Sequence, residues 1–178
     1  MNDIMMAVAV FLAVCSVSTA VPRFDKVRVH FGNMYADEDV MLDEEEGFSL
    51  VTVSKIYGKG TPTINLHDFN SGYTAVKDVA DKACFIQKSR HTMQAFKDEV
   101  DIARNNNGNY EISQYYNCDS EDEVDKLGLP IYGQRIATFC ENYDVKFVQR
   151  RNRKLTKRST YVFNENAFWC VVCVNASC

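Results

Sequence analysis

Residues 66–86 read Leu66-His-Asp-Phe-Asn-Ser-Gly-Tyr-Thr-Ala-Val-Lys-Asp-Val-Ala-Asp-Lys-Ala-Cys-Phe-Ile86. Three short β-prone runs are separated here by two clusters of turn residues. Thr63–Phe69 reads as a strand, Asn70-Ser-Gly72 as a tight turn and Tyr73–Asp78 as the next strand. Val79-Ala-Asp-Lys82 turns the chain again into Ala83–Gln87. The run reads as a meander of three consecutive strands within a largely antiparallel sheet. Upstream, Lys26–Phe31 and Phe48–Ile56 alternate polar and apolar residues, as half-buried strands do. The acidic residues between them, Asp37-Glu-Asp39 and Asp43–Glu46, read as a solvated loop.

Downstream the period lengthens. Ser89 is a candidate N-cap, and Met93, Phe96, Val100 and Ala103 recur at helical steps. Asn105–Asn109 ends that helix, and the acidic stretch 111–125, which contains Cys118, reads as an exposed loop. A second helix is expected near Pro130, a good first-turn residue, with Tyr132, Ile136, Phe139 or Cys140, and Tyr143 on its apolar face. Val145–Gln149 closes the domain as a strand. Strands followed by helices predict an α+β fold: about five strands in a largely antiparallel sheet, flanked by two α-helices.

The 178 residues, 46% hydrophobic and 25% charged, suffice for one domain with a core. A net charge of −4 argues against nucleic acid as a partner. Ile4–Cys15 is an apolar run of about a dozen residues, about 18 Å as a helix against a bilayer core of roughly 30 Å. Ser18 and Ala20 occupy the −3 and −1 positions of a cut after Ala20. Residues 1–20 are therefore expected to be a cleaved signal peptide and the protein to be secreted; the alternative is a type II membrane anchor. Six of the seven cysteines remain after that cut: Cys84, Cys118, Cys140, Cys170, Cys173 and Cys178. An even number in an exported chain suggests disulfides, with several pairings open. Cys170-Val-Val-Cys173 has no second pair to complete a zinc site, and it sits in a strand-like run rather than at a helix start, which favours a structural disulfide over metal or thiol exchange. No metal or cofactor is expected. Catalysis is not expected either: His67 and Asp68, as strand neighbours, point to opposite faces, and no nucleophile elbow or P-loop is present.

The meander, together with Leu127-Gly-Leu-Pro-Ile-Tyr132, Phe139-Cys140 and Tyr143–Arg151, resembles a BRICHOS domain. The order is similar to that of Bri (integral membrane protein 2) proteins, which continue past Gln-Arg-Arg into a Lys-Arg site and a short disulfide-bearing peptide. Here Lys157-Arg158 precedes residues 159–178, and Phe163–Phe168 echoes the middle of the Bri peptide. The chain departs from Bri in starting almost at its apolar segment and in carrying three tail cysteines. Polychaete antimicrobial-peptide precursors share the same layout.

The resemblance implies a Cys84–Cys140 disulfide and makes Asp68 the family's invariant acid. Asp68 reads either as a turn-capping carboxylate before Asn70-Ser-Gly72 or, as the resemblance implies, as a buried or ion-paired acid whose titration tunes the domain. The remaining cysteines are expected to pair, with Cys118 joined to one tail cysteine and the other two to each other. The implied organisation is a signal at 1–20, a strand and linker region packing on the domain at 21–56, the BRICHOS domain at 57–149, a basic processing linker at 150–158 and a Cys-rich peptide at 159–178. Lys157-Arg158 and Arg150-x-x-Arg153 suit proprotein convertases, and Asn175 begins a glycosylation sequon. The tail is apolar and aromatic, and it contains Glu165 but no Lys or Arg, a composition prone to β-aggregation. The expected function is intramolecular chaperoning of that tail, with the tail or other β-prone peptides as partners. The alternative is a host-defence or hormone-like peptide whose pro-region is the BRICHOS domain.

Overall fold

The computed structural model describes residues 21–31, 34–57, 62–89, 91–107, 109–111, 115–150, 160–164 and 172–174. The fold is α+β, built on one mixed sheet. Its first six strands are β1 (Arg23–Phe31), β2 (Met34–Asp43), β3 (Phe48–Tyr57), β4 (Thr63–Asp68), β5 (Tyr73–Asp78) and β6 (Ala83–Lys88). They form one antiparallel run in chain order. Helix α1 (Met93–Asn105) follows, then β7 (Asn109–Glu111), β8 (Tyr115–Glu123), a 3-10 helix (Lys126–Tyr132), helix α2 (Gln134–Cys140) and β9 (Asp144–Arg150). β10 (Thr160–Asn164) and β11 (Val172–Val174) lie in the tail. The sheet order is β11-β10-β8-β9-β6-β5-β4-β3-β2-β1-β7, with β6–β9 and β1–β7 parallel.

The expected meander at 63–88 and both helices are present, but the described residues hold more strands than the five or so expected. The acidic segment 37–43 is not a loop but part of β2. Asp37, Asp39 and Asp43 alternate with Ala36, Val40 and Leu42, which point into the core together with Glu38. On the opposite face two of these acids meet the bases of β1: Asp37 binds Arg28 at 2.6 Å and Asp39 binds Lys26 at 3.3 Å. The charge reads as solvation in the sequence, whereas the period of two of Asp37 and Asp39 is that of a strand with one wet face. The polar stretch 111–125 is likewise not a loop throughout, since β8 occupies its middle, with Glu123 opposite Lys146 of β9. Helix α1 is capped by Thr92, whose hydroxyl accepts the Ala95 N–H at 3.2 Å, rather than by Ser89. Pro130 lies inside the 3-10 helix, and α2 begins beyond Gly133.

The sheet has a core on each face. α1 lays Phe96, Val100 and Ala103 over Val27, Val29, Val40 and Val51 of β1–β3. On the other face α2 places Ile136, Ala137 and Cys140 against Leu66, Ala75 and Ile86. Successive residues of β4 divide between the two: the His67 ring is tilted against that of Phe96, with centroids 5.1 Å apart, while Leu66 and Asp68 face α2. No described helix is long and apolar enough to cross a membrane. The expected cut after Ala20, Arg153, Lys157-Arg158, Cys170, Cys178 and the Asn175 sequon lie outside the described residues.

Candidate functional site

Three chain reversals converge on Asp68. Its carboxylate ends β4 and accepts the backbone N–H of Asn70 at 3.2 Å and of Ser71 at 3.4 Å, closing the turn into β5. Oδ1 also receives Nη1 of Arg135 at 3.4 Å, from the first turn of α2. The other guanidinium nitrogen, Nη2, meets Glu46 of the β2–β3 turn at 3.1 Å, and the guanidinium plane lies 4.4 Å above the Phe48 ring. Asn70 donates from Nδ2 to the Glu46 carbonyl at 2.9 Å. Asp68 is 5% exposed, so its charge is matched by a partner rather than by water. In the structure Asp68 both caps the turn and pairs with Arg135.

This arrangement latches the N-terminal end of α2. Gly133 precedes the helix with φ of 109° and lies so close that a Cβ there would meet Ser71 Cβ at 2.8 Å and Asp68 Oδ2 at 3.1 Å. Gly133→Ala is therefore expected to lose about 2–3 kcal/mol from backbone strain and overpacking. Gly128→Ala, with nothing within 4 Å of the new methyl, serves as the control and should change stability by less than about 0.5 kcal/mol. Urea titration of both variants checks this, and equal losses would refute the close-approach argument.

The C-terminal end of α2 is held covalently. Cys140 is joined to Cys84 of β6, with Cα atoms 5.7 Å apart. Beside that bond Lys77 places Nζ 4.1 Å from the Phe139 ring centroid and 4.6 Å from that of Tyr143, and burial lowers its pKa. Between these two fastenings, the flank of α2 facing β3 and β4 borders an open groove of about 840 Å³. Phe48, Leu50, Leu66, Thr138 and Phe139 line it, with the Asp68–Arg135 pair at one end. Arg135 and Gly133 are the residues that sequence reasoning passed over. The glycine between Tyr132 and the helix was the only available signal, since an arginine on a helix reads as solvated.

The remaining expected site residues are placed by backbone register. Cys118 and Arg150 stand opposite each other on β8 and β9. Cys173 of β11 stands opposite Tyr161 of β10. β10 runs antiparallel to β8, pairing Val162 with Asn117 and Asn164 with Tyr115. Among the described residues, no group of three or more metal-ligating side chains converges.

A meander fastened at its fourth-strand acid to one helix, and by a disulfide from its last strand to that helix's far end, defines the class. Residues 59–145 match the BRICHOS domain family, and this stretch of the chain is a BRICHOS domain. BRICHOS is a non-enzymatic domain family. No curated protein and no solved structure matches the chain.

Proposed function

We propose that this protein is an exported precursor, similar in layout to Bri proteins, whose BRICHOS domain chaperones its own C-terminal segment 159–178 until a convertase cuts after Lys157-Arg158. The observation that carries this reading is the antiparallel pairing of β10 with β8, which adds the tail to the domain's sheet as a further strand. Main-chain pairing of this kind satisfies the N–H and C=O groups that would otherwise template aggregation. It also suits a tail whose aromatic and β-branched residues are held apart by no positive charge.

Both cores are built from residues between Val27 and Val148, so a chain of residues 21–158 retains them. Added at equimolar ratio to synthetic peptide 159–178, that chain is expected to lengthen the lag of thioflavin-detected aggregation several-fold. An unchanged lag, with no binding by calorimetry, would sink the proposal.

One observation favours a second reading. β10 and β11 pair with each other antiparallel, from Thr160 opposite Val174 to Val162 opposite Val172, so the tail forms a hairpin of its own. A structured hairpin suits a released host-defence or hormone-like peptide. Receptor or microbial assays of the natively oxidised peptide decide for or against it.

A further inference from the structure

The hydrogen bonds of the Asp68 carboxylate fall on one of its two oxygens. Oδ1 accepts the N–H groups of Asn70 and Ser71 and Nη1 of Arg135. Oδ2 takes none of these bonds, and it lies where the bare Cα of Gly133 leaves a corner open. A Cβ on that glycine would stand 3.1 Å from Asp68 Oδ2 and 3.1 Å from Ser71 Oγ. Asp68, Ser71 and Gly133 all line the groove of about 840 Å³ beside α2, whose apolar walls are Phe48, Leu50, Leu66 and Phe139.

We propose that this groove binds a small organic cation, a primary ammonium carried on an apolar body. The ammonium donates to Asp68 Oδ2, and the body lies against Phe48, Leu50 and Phe139. Three observations select that chemistry. The groove falls within the roughly 300–1,000 Å³ of small-ligand pockets, and its walls offer an apolar body aromatic and aliphatic contact. The charge at its polar end is unbalanced. Arg135 is shared between Asp68 at 3.4 Å and Glu46 at 3.1 Å, so one positive charge answers two negative ones. An anionic head would meet a surplus of like charge there, whereas a cationic head meets its opposite. The third observation is the acceptor itself. Asp68 is 5% exposed, so water reaches it poorly, and an N–H donor that carries charge binds a carboxylate oxygen about twice as strongly as neutral partners bind each other. A hydroxyl reaches the same oxygen without cancelling the surplus charge. Glycine at 133 thus does more than admit a φ of 109°, since any side chain there would occupy the corner that the ammonium enters.

The test titrates the chain of residues 21–178, which keeps both cores, by calorimetry with three probes that share one alkyl chain: octylamine, octanol and octanoate. Each is held below its micelle concentration, at about pH 7, where an alkylamine is cationic. Octylamine is expected to bind about tenfold more tightly than octanol, and octanoate more weakly than either. Thr138→Trp, at an exposed position on the rim, fills the groove and is expected to abolish binding of amine and alcohol alike. Asp68→Asn is expected to weaken octylamine about tenfold while leaving octanol unchanged, so that the alcohol reports an intact groove. Should that variant fail to fold, Glu46→Gln, on the exposed turn, removes the surplus charge and is expected to narrow the preference for amine over octanoate about threefold. Equal affinity of the wild type for all three probes would overturn the proposal. So would an absence of octylamine binding, or octylamine binding that survives Thr138→Trp.

Discussion

Replacing both Cys84 and Cys140 with alanine is expected to lower the free energy of unfolding by about 4 kcal/mol, the value the chain-entropy model assigns to a crosslink closing a loop of this length. The two residues are 56 positions apart, both are fully buried, and they tie β6 to the last residue of α2. Between them the chain makes α1, β7, β8 and the 3-10 helix, so the bond restricts most of the excursion that separates β6 from its parallel partner β9. Domains of this size have total stabilities of about 5–15 kcal/mol, so the loss is a large fraction of the whole. Urea denaturation of residues 21–178 gives the measurement, with the oxidised wild-type chain as the reference and the reduced wild type as a second form lacking the bond. A loss below about 1 kcal/mol would show that the Asp68–Arg135 latch and the apolar packing hold α2 without the bond.

The second large effect is a dependence on pH set by two buried groups on the α1 face of the sheet. Glu38 is the one acid of β2 that points inward, between Val27 of β1 and Val53 of β3, beside the register shift at Asp37/Glu38. Its carboxyl oxygens are buried with no hydrogen-bond partner among the described residues, and burial raises its pKa from 4.5 to about 8. The folded protein thus binds a proton that the unfolded chain releases, and stability falls as pH rises from about 4.5 to about 8. His67 acts in the opposite sense. Burial, with a smaller contribution from nearby His91, lowers its pKa from 6.5 to about 3. Its contribution to stability is present above about pH 6.5 and is lost as pH falls toward 3.

The two slopes cancel between about pH 4.5 and 6.5, so these groups set a plateau there, with losses on either side. Each full excursion is worth on the order of 5 kcal/mol. Glu38→Gln is expected to abolish the alkaline fall and to exceed the wild type in stability above about pH 8, because no charge then has to be buried. Denaturation midpoints from pH 4 to 9 decide the matter. A wild type as stable at pH 8.5 as at pH 6 would show that Glu38 ionises without cost.

The sequence made the meander legible because Asn70-Ser-Gly72 and Val79-Ala-Asp-Lys82 punctuate it, and the structure places strand ends at Asp68, Tyr73, Asp78 and Ala83. The Cys84–Cys140 bond and the importance of Asp68 came from resemblance, since nothing local to either residue reveals its partner. β2 was hidden because its charge outweighed its alternation. β8 was hidden because Asn117, Asp119 and Asp122 are poor strand formers, and local sequence does not reveal the pairing with β9 that holds Asp122 opposite Phe147. Thr92 displaced Ser89 as the cap: both lie before the apolar helical stripe, and local sequence does not say which turn docks on β1–β3. Arg135 could not be singled out because its partners, Asp68 and Glu46, lie 67 and 89 residues away in sequence.

The parallel pairing of β6 with β9 has a consequence for the order in which the molecule is made. Ala83 cannot meet Asp144, nor Ile86 meet Phe147, until the ribosome has delivered everything between them. Such a distant contact is slow to form and leaves the first six strands waiting with an open flank. Once β9 has emerged the sheet can close, and the linker and the tail come after it in the chain. The apolar, aromatic tail thus leaves the ribosome when β8, with which β10 pairs, already has its other partner at hand.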